Sequence, residues 1–80
     1  MTANQVLPLI LDALHEVVPE TAGVAAVPSD SMEDLGANSL DRADIVMMVL
    51  ERMNLAIPLT ETVGPRNLGE LAQLLSDKST

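Results

Sequence analysis

Eighty residues with twelve acids, four bases, one histidine and no cysteine carry a formal charge of −8. That length suits one domain over residues 1–80, near the lower limit for a core that folds without staples, and the missing cysteines exclude disulfides and thiolate zinc clusters. The acidity disfavours nucleic acid and anionic membrane surfaces and favours proteins with basic patches as partners.

Aromatic residues are absent, yet the hydrophobic fraction is 48%, so leucine, valine, isoleucine and methionine must build a core and disorder is disfavoured. The longest apolar run, Ile45 to Leu50, is far too short to span a bilayer. No basic segment followed by an apolar stretch opens the chain, so no signal peptide is expected. A reducing compartment fits the absence of cysteine, and the expectation is a cytoplasmic monomer.

Taken in chain order, Val6, Leu7, Ile10, Leu11, Leu14, Val17 and Val18 recur at the spacing of an amphipathic helix. Pro8 is tolerated in a first turn, which predicts a start near residues 4–7, and Pro19 ends the segment. Residues 19–38 hold prolines, glycines and small polar residues and read as one long loop, its later half pinned to the core by Met32 and Leu35. The second helix is expected to open at Asn38, which forms a capping box with Asp41 after a turn at Gly36. Its buried stripe is Val46, Val49, Leu50 and Met53; a second stripe, Leu40, Asp44, Met47 and Glu51, alternates apolar and acidic residues. Asn54 and Pro58 close it. Residues 60–64 predict a short helical turn. Pro65 and Asn67 mark a last helix, with Asn67 and Glu70 spaced as a second capping box and Leu68, Leu71, Leu74 and Leu75 as its apolar face. No alternating strand pattern stands out. The expected fold is all-α, a small four-helix bundle of three main helices and one short one.

Ser39 sits between the glycine turn and the second helix, and three roles are open to it: nucleophile, helix cap or attachment point. The lone histidine, His15, lies far away beside Glu16 and reads as a surface residue, and a Ser–His pair would still need an orienting acid and oxyanion donors. A chain this small is not expected to enclose a ligand pocket, so a self-contained enzyme is disfavoured. Starting from Asp30, a calcium loop fails, because position three is Met32, position six is Leu35, and Gly36 falls one residue late. No metal site is expected. Asp30, Glu33, Asp34, Asp41, Asp44 and Glu51, half of the acids, gather instead around Ser39 and are interleaved with Leu40 and Met47. An acidic rim around apolar contacts suits a transient docking surface, and methionine adapts its shape to several partners. The plain alternative is a solvated face, with Met47 and Met48 filling core.

The segment "DLGANSLDRADIVMMVLE" resembles the attachment region of acyl carrier proteins: Leu-Gly, one or two residues, Asp-Ser-Leu, then an acid-rich helix. Leu35, Gly36, Ser39, Leu40, Asp41, Asp44, Val46, Met47 and Glu51 match, and the helix layout matches across nearly the whole chain. Asn38 departs from the usual aspartate, although asparagine also caps helices. The resemblance implies that Ser39 carries 4′-phosphopantetheine, moved from coenzyme A by a phosphopantetheinyl transferase, so that Ser39 needs no base of its own. It also implies docking through Leu40, Asp41, Arg42, Asp44, Met47 and Glu51.

"GANSLDRADIV" and "RNLGEL" further resemble the stand-alone donor carriers of polyketide β-branching cassettes. That resemblance implies an acyltransferase loading malonyl, a decarboxylating ketosynthase-like enzyme converting it to acetyl, and an HMG-synthase-like enzyme accepting the acetyl. Arg42 is then a candidate for partner identity; the alternative is a surface arginine in a helical ion pair. Other readings are a fatty-acid or peptidyl carrier, and an unmodified acidic interaction module in which Ser39 is only a cap.

Overall fold

The computed structural model describes residues 1–79, and their regular structure is helical throughout: α1 (Ala3–Val17), a 3₁₀ turn (Pro19–Gly23), α2 (Ser39–Arg52), a second 3₁₀ turn (Leu59–Thr62) and α3 (Leu68–Lys78). The expected all-α architecture of three main helices is observed. The short element is 3₁₀ and begins at Leu59, ahead of the expected residues 60–64, and the long loop contains a turn of its own that periodicity had not marked. Pro19 opens that first turn, and Thr21 stabilises it by donating its buried hydroxyl to the Val18 carbonyl at 2.7 Å.

Helix α1 starts one residue ahead of the expected window. Thr2 accepts from the Gln5 N–H at 3.3 Å while Gln5 Oε1 accepts from the Thr2 N–H at 2.9 Å, a capping box that outweighs the proline. Pro8 therefore lies in the second turn, not the first, and the Asn4 carbonyl loses its intrahelical partner. Asn4 and Pro8 are both exposed, so water can take that carbonyl.

The core joins α1 to α2 and α3. Val6, Ile10, Ala13 and Leu14 meet Ile45, Val46, Val49 and Leu50 of α2 and Leu68, Leu71, Ala72 and Leu75 of α3. Leu74 and Met53 are only partly buried, whereas Ile45 is fully so: the buried arc of α2 is centred one residue earlier than the expected stripe. Met32 is buried and Leu35 packs against the same cluster, which holds the later half of the loop to the bundle as expected. Burying aliphatic side chains of this size stabilises a domain by about 1.5–3 kcal/mol each before conformational entropy is counted.

Local chemistry sets where α2 begins and ends. Gly36 has φ +100°, a conformation that opposes any side chain, and Ala37 donates to the Met32 carbonyl at 2.9 Å to close the turn. Asn38 Oδ1 accepts from the Asp41 N–H at 2.8 Å, and Asp41 Oδ2 accepts from the Asn38 N–H at 3.2 Å, so the expected capping box is present. At the other end Asn54, at φ 53°, closes a Schellman motif: its N–H donates to Glu51 O at 3.1 Å and that of Leu55 to Leu50 O at 2.9 Å.

The second expected capping box is only half formed. Asn67 accepts from the Glu70 N–H at 2.8 Å, but Glu70 Oε1 takes the Arg66 N–H at 2.9 Å, because the chain turns at Pro65 and presents that earlier donor. The Leu68 and Gly69 N–H groups are satisfied across the bundle, by Asp30 O at 2.9 Å and Pro28 O at 2.8 Å. A Cβ at Gly69 would meet Pro28 Cβ at 3.1 Å, so glycine permits this close approach of loop and helix. The loop is thereby tied to α3 beside the start of α2.

Two stability outcomes follow. Pro8→Ala restores the missing N–H and should raise stability by about 1–3 kcal/mol, seen as a higher urea midpoint with an unchanged slope; a lowered midpoint would contradict the placement of Pro8 inside α1. Asn38→Ala should lower stability by about 0.5–2 kcal/mol, whereas Asn38→Asp, which keeps the accepting oxygen, should stay near wild type in the same titration.

Candidate functional site

Because Asn38 is the cap, Ser39 is the first residue of α2, and its side chain is released from capping. It is exposed, and its hydroxyl has no hydrogen-bond partner among the described residues. The Ser39 and Leu40 N–H groups also lack protein acceptors, as the geometry of a helix start requires. Of the three roles open to this serine, capping is therefore removed. A self-activated nucleophile is unsupported as well: His15 lies in the last turn of α1, and no histidine lines the surface beside Ser39.

That surface consists of two open grooves that meet at the serine. One, of about 440 Å³, is lined by Met32, Glu33, Ala37, Asn38, Ser39 and Arg42. The other, of about 290 Å³, runs between α2 and the second 3₁₀ turn, along Ser39, Arg42, Ala43, Leu59, Thr62 and Val63. Neither is enclosed, so the site can flank an attached chain but cannot surround a substrate. Among the described residues no cluster of histidine and acidic side chains is arranged to hold a metal ion, and no helix is long and apolar enough to cross a membrane.

The structure places Leu40, Asp44, Met47 and Glu51 together on one exposed face of α2 that begins at the serine. Leu40 is 77% exposed and Met47 53%, large values for apolar side chains; Met48 instead packs against the core. Val63, 73% exposed, adds an apolar contact across the second groove that periodicity had not singled out, because it lies outside any helix. Asp41 stands apart from the acidic face, since its carboxylate is engaged in the cap.

Arg42 does not form the helical ion pair of the alternative reading. It is half-buried, forms no ion pair among the described residues, and donates from Nη2 to the Thr62 carbonyl at 2.7 Å, which fastens α2 to the second 3₁₀ turn. Thr62 is itself buried and donates to Leu59 O at 2.6 Å. Arginine has five N–H donors, so this bond leaves others facing the grooves.

Comparison with known proteins bears on this geometry. The profile of the phosphopantetheine attachment site family matches residues 11–75. The polyketide biosynthesis acyl-carrier-protein AcpK of Bacillus subtilis (strain 168) is 42% identical over 78 residues, which cover 98% of this chain and 95% of that protein. A chain in the crystal structure of the curacin biosynthetic pathway HMG synthase in complex with acetyl donor-ACP superposes with a TM-score of 0.93 at 42% identity, covering 96% of this chain and 99% of that one.

The residues present fit a phosphodiester-linked arm. An exposed hydroxyl stands at a helix N-terminus with two free N–H groups, where the positive end of the dipole favours an anion, and open grooves lie on both sides. The family match over residues 11–75 and the near-complete overlap with an acyl carrier relative agree with that local chemistry: the chain belongs to the acyl carrier proteins, whose covalent cofactor is 4′-phosphopantetheine.

Proposed function

We propose that Ser39 is the attachment residue and that residues 1–80 form one carrier unit. The observation that carries this is the free, exposed Ser39 hydroxyl at the first position of a helix capped by its neighbour. When bound, 4′-phosphopantetheine supplies a terminal thiol that holds acyl groups as thioesters. The protein's own residues present and identify that cargo. Asn38 and Asp41 hold the serine's backbone in place, and the N-terminal N–H groups of α2 stabilise an attached phosphate.

Leu40, Met47 and Val63 offer apolar contact, while Asp44 and Glu51 attract basic patches on partner enzymes and speed encounter. Asp41 and Arg42 act differently, being tied into the cap and the second 3₁₀ turn, so they shape the docking face more than they extend it. Partners of this surface are a phosphopantetheinyl transferase, an acyltransferase, a decarboxylating ketosynthase-like enzyme and an HMG-synthase-like enzyme. The carrier acts as their substrate and has no catalytic residue of its own.

The cargo we infer is malonyl, then acetyl, with delivery of acetyl to the HMG-synthase-like enzyme during polyketide β-branching. Support comes from the 42% identity to a polyketide-biosynthesis carrier and from the likeness to a chain of a complex between an HMG synthase and its acetyl donor.

Ser39→Ala should prevent the mass gain seen on incubation with coenzyme A and a broad-specificity transferase, while the helical circular dichroism stays unchanged; modification of the alanine variant would contradict the attachment site. Arg42→Glu should leave attachment largely intact and weaken acetyl transfer to the HMG-synthase-like enzyme by about ten- to hundredfold, the scale of one charge-assisted contact. A generic ketosynthase assayed in parallel should lose less. Equal losses with both enzymes would make Arg42 a general support of the docking face, and no loss with either would remove it from recognition.

A further inference from the structure

The chain has four basic side chains, and they divide into two kinds. Arg52 is paired with Glu16, and Lys78 Nζ lies 2.8 Å from Glu61. Arg42 and Arg66 have no carboxylate within ion-pair distance among the described residues. In a chain of charge −8, two guanidinium groups without a carboxylate partner among the described residues are available to an anion from elsewhere.

They also converge. Both line one groove together with Ser31, Met32, Glu33 and Pro65. Met32, Glu33 and Arg42 are shared with the groove that holds Ser39, so the two are continuous. Arg42 is held in place by Thr62 O, and the backbone of Arg66 is held by Glu70. Arg42 lies three residues beyond Ser39, a spacing that puts both on one side of the helix. Arg66 immediately precedes the Asn67 cap of α3. Glu33 is exposed at the rim and the Glu70 carboxylate is bonded to the Arg66 backbone, but neither lies within ion-pair distance of a guanidinium group.

We propose that the Arg42–Arg66 groove is an anion seat that holds an oxyanion carried by the carrier's own arm. This rests on the reading of Ser39 as the attachment residue. Two oxyanions share the required chemistry: the phosphodiester that joins the arm to the serine, and the free carboxylate of a malonyl-type cargo folded back along the groove. Guanidinium groups bind either in bidentate fashion. Attachment makes the event intramolecular, so a groove open to water can still be occupied. A seat that holds the carboxylate would also let the carrier distinguish malonyl from acetyl, since decarboxylation removes the group being held.

The test uses protein whose arm, and then whose cargo, have been verified by intact mass, so failure of attachment and failure of the seat are seen separately. Nitrogen-15 spectra follow the Arg42 and Arg66 side-chain Nε–H resonances in the unmodified, armed, acetyl-loaded and malonyl-loaded forms, with thermal midpoints measured alongside. A seat for the phosphodiester shifts the guanidinium resonances and raises the midpoint when the arm is added, with no further change on loading. A seat for the carboxylate does so only in the malonyl-loaded form. In either case the gain should shrink in 0.5 M salt, because exposed charges are screened, and should be lost in Arg66→Gln, whose exposed side chain has no other hydrogen bond among the described residues. Resonance shifts without any gain in midpoint, a gain that Arg66→Gln retains, or no change in any form would overturn the proposal.

Discussion

The reciprocal hydrogen bonds between Asn38 and Asp41 are the constraint on which the functional surface depends. They fix the first residue of α2, and a helix with a fixed start has a fixed rotation for every side chain along it. Ile45, Val46, Val49 and Leu50 then enter the core, while Leu40, Asp44, Met47 and Glu51 stay in solvent. The same bonds relieve Ser39 of capping. A serine doing its own capping would direct its hydroxyl at the backbone; here the asparagine next to it does that, and the hydroxyl is left to solvent.

The loops support this arrangement from behind. Gly36 turns the chain into the cap, Met32 buries its side chain beneath it, and the Asp30 and Pro28 carbonyls accept from the first turn of α3. Arg42 closes the remaining side by bonding the second 3₁₀ turn. Thus the region around Ser39 is held by ordered backbone and side-chain contacts, while most of the large aliphatic side chains pack into the three-helix core. With no aromatic residue available, that division leaves room for open grooves at the surface and no large cavity at the site.

Much of this was legible in residue order because it is local. The Asn38–Asp41 cap, the exposed stripe of α2, and most of the buried faces of α2 and α3 follow from spacings of three and four, and the resemblance to acyl carriers rests on the same stretch. What escaped was of two kinds. Thr2 and Gln5 form a capping box that starts α1 at Ala3 and carries Pro8 into the second turn, whereas the proline rule alone predicts a start near residues 4–7. The bond from Arg42 to Thr62, twenty residues apart, and the diversion of Glu70 to the Arg66 N–H depend on how loops fold back, which periodicity does not encode. Val63 likewise joins the functional face only through tertiary placement.

The most direct test of the claim that the cap singles out one serine is to map the modification itself. The chain offers Ser29, Ser31, Ser76 and Ser79 besides Ser39. Protein incubated with coenzyme A and a transferase would be digested, and the arm-bearing residue located by tandem mass spectrometry. The structure predicts one modified site, Ser39, at full occupancy. An arm on Ser31 or on any other hydroxyl, with Ser39 unmodified, would contradict it.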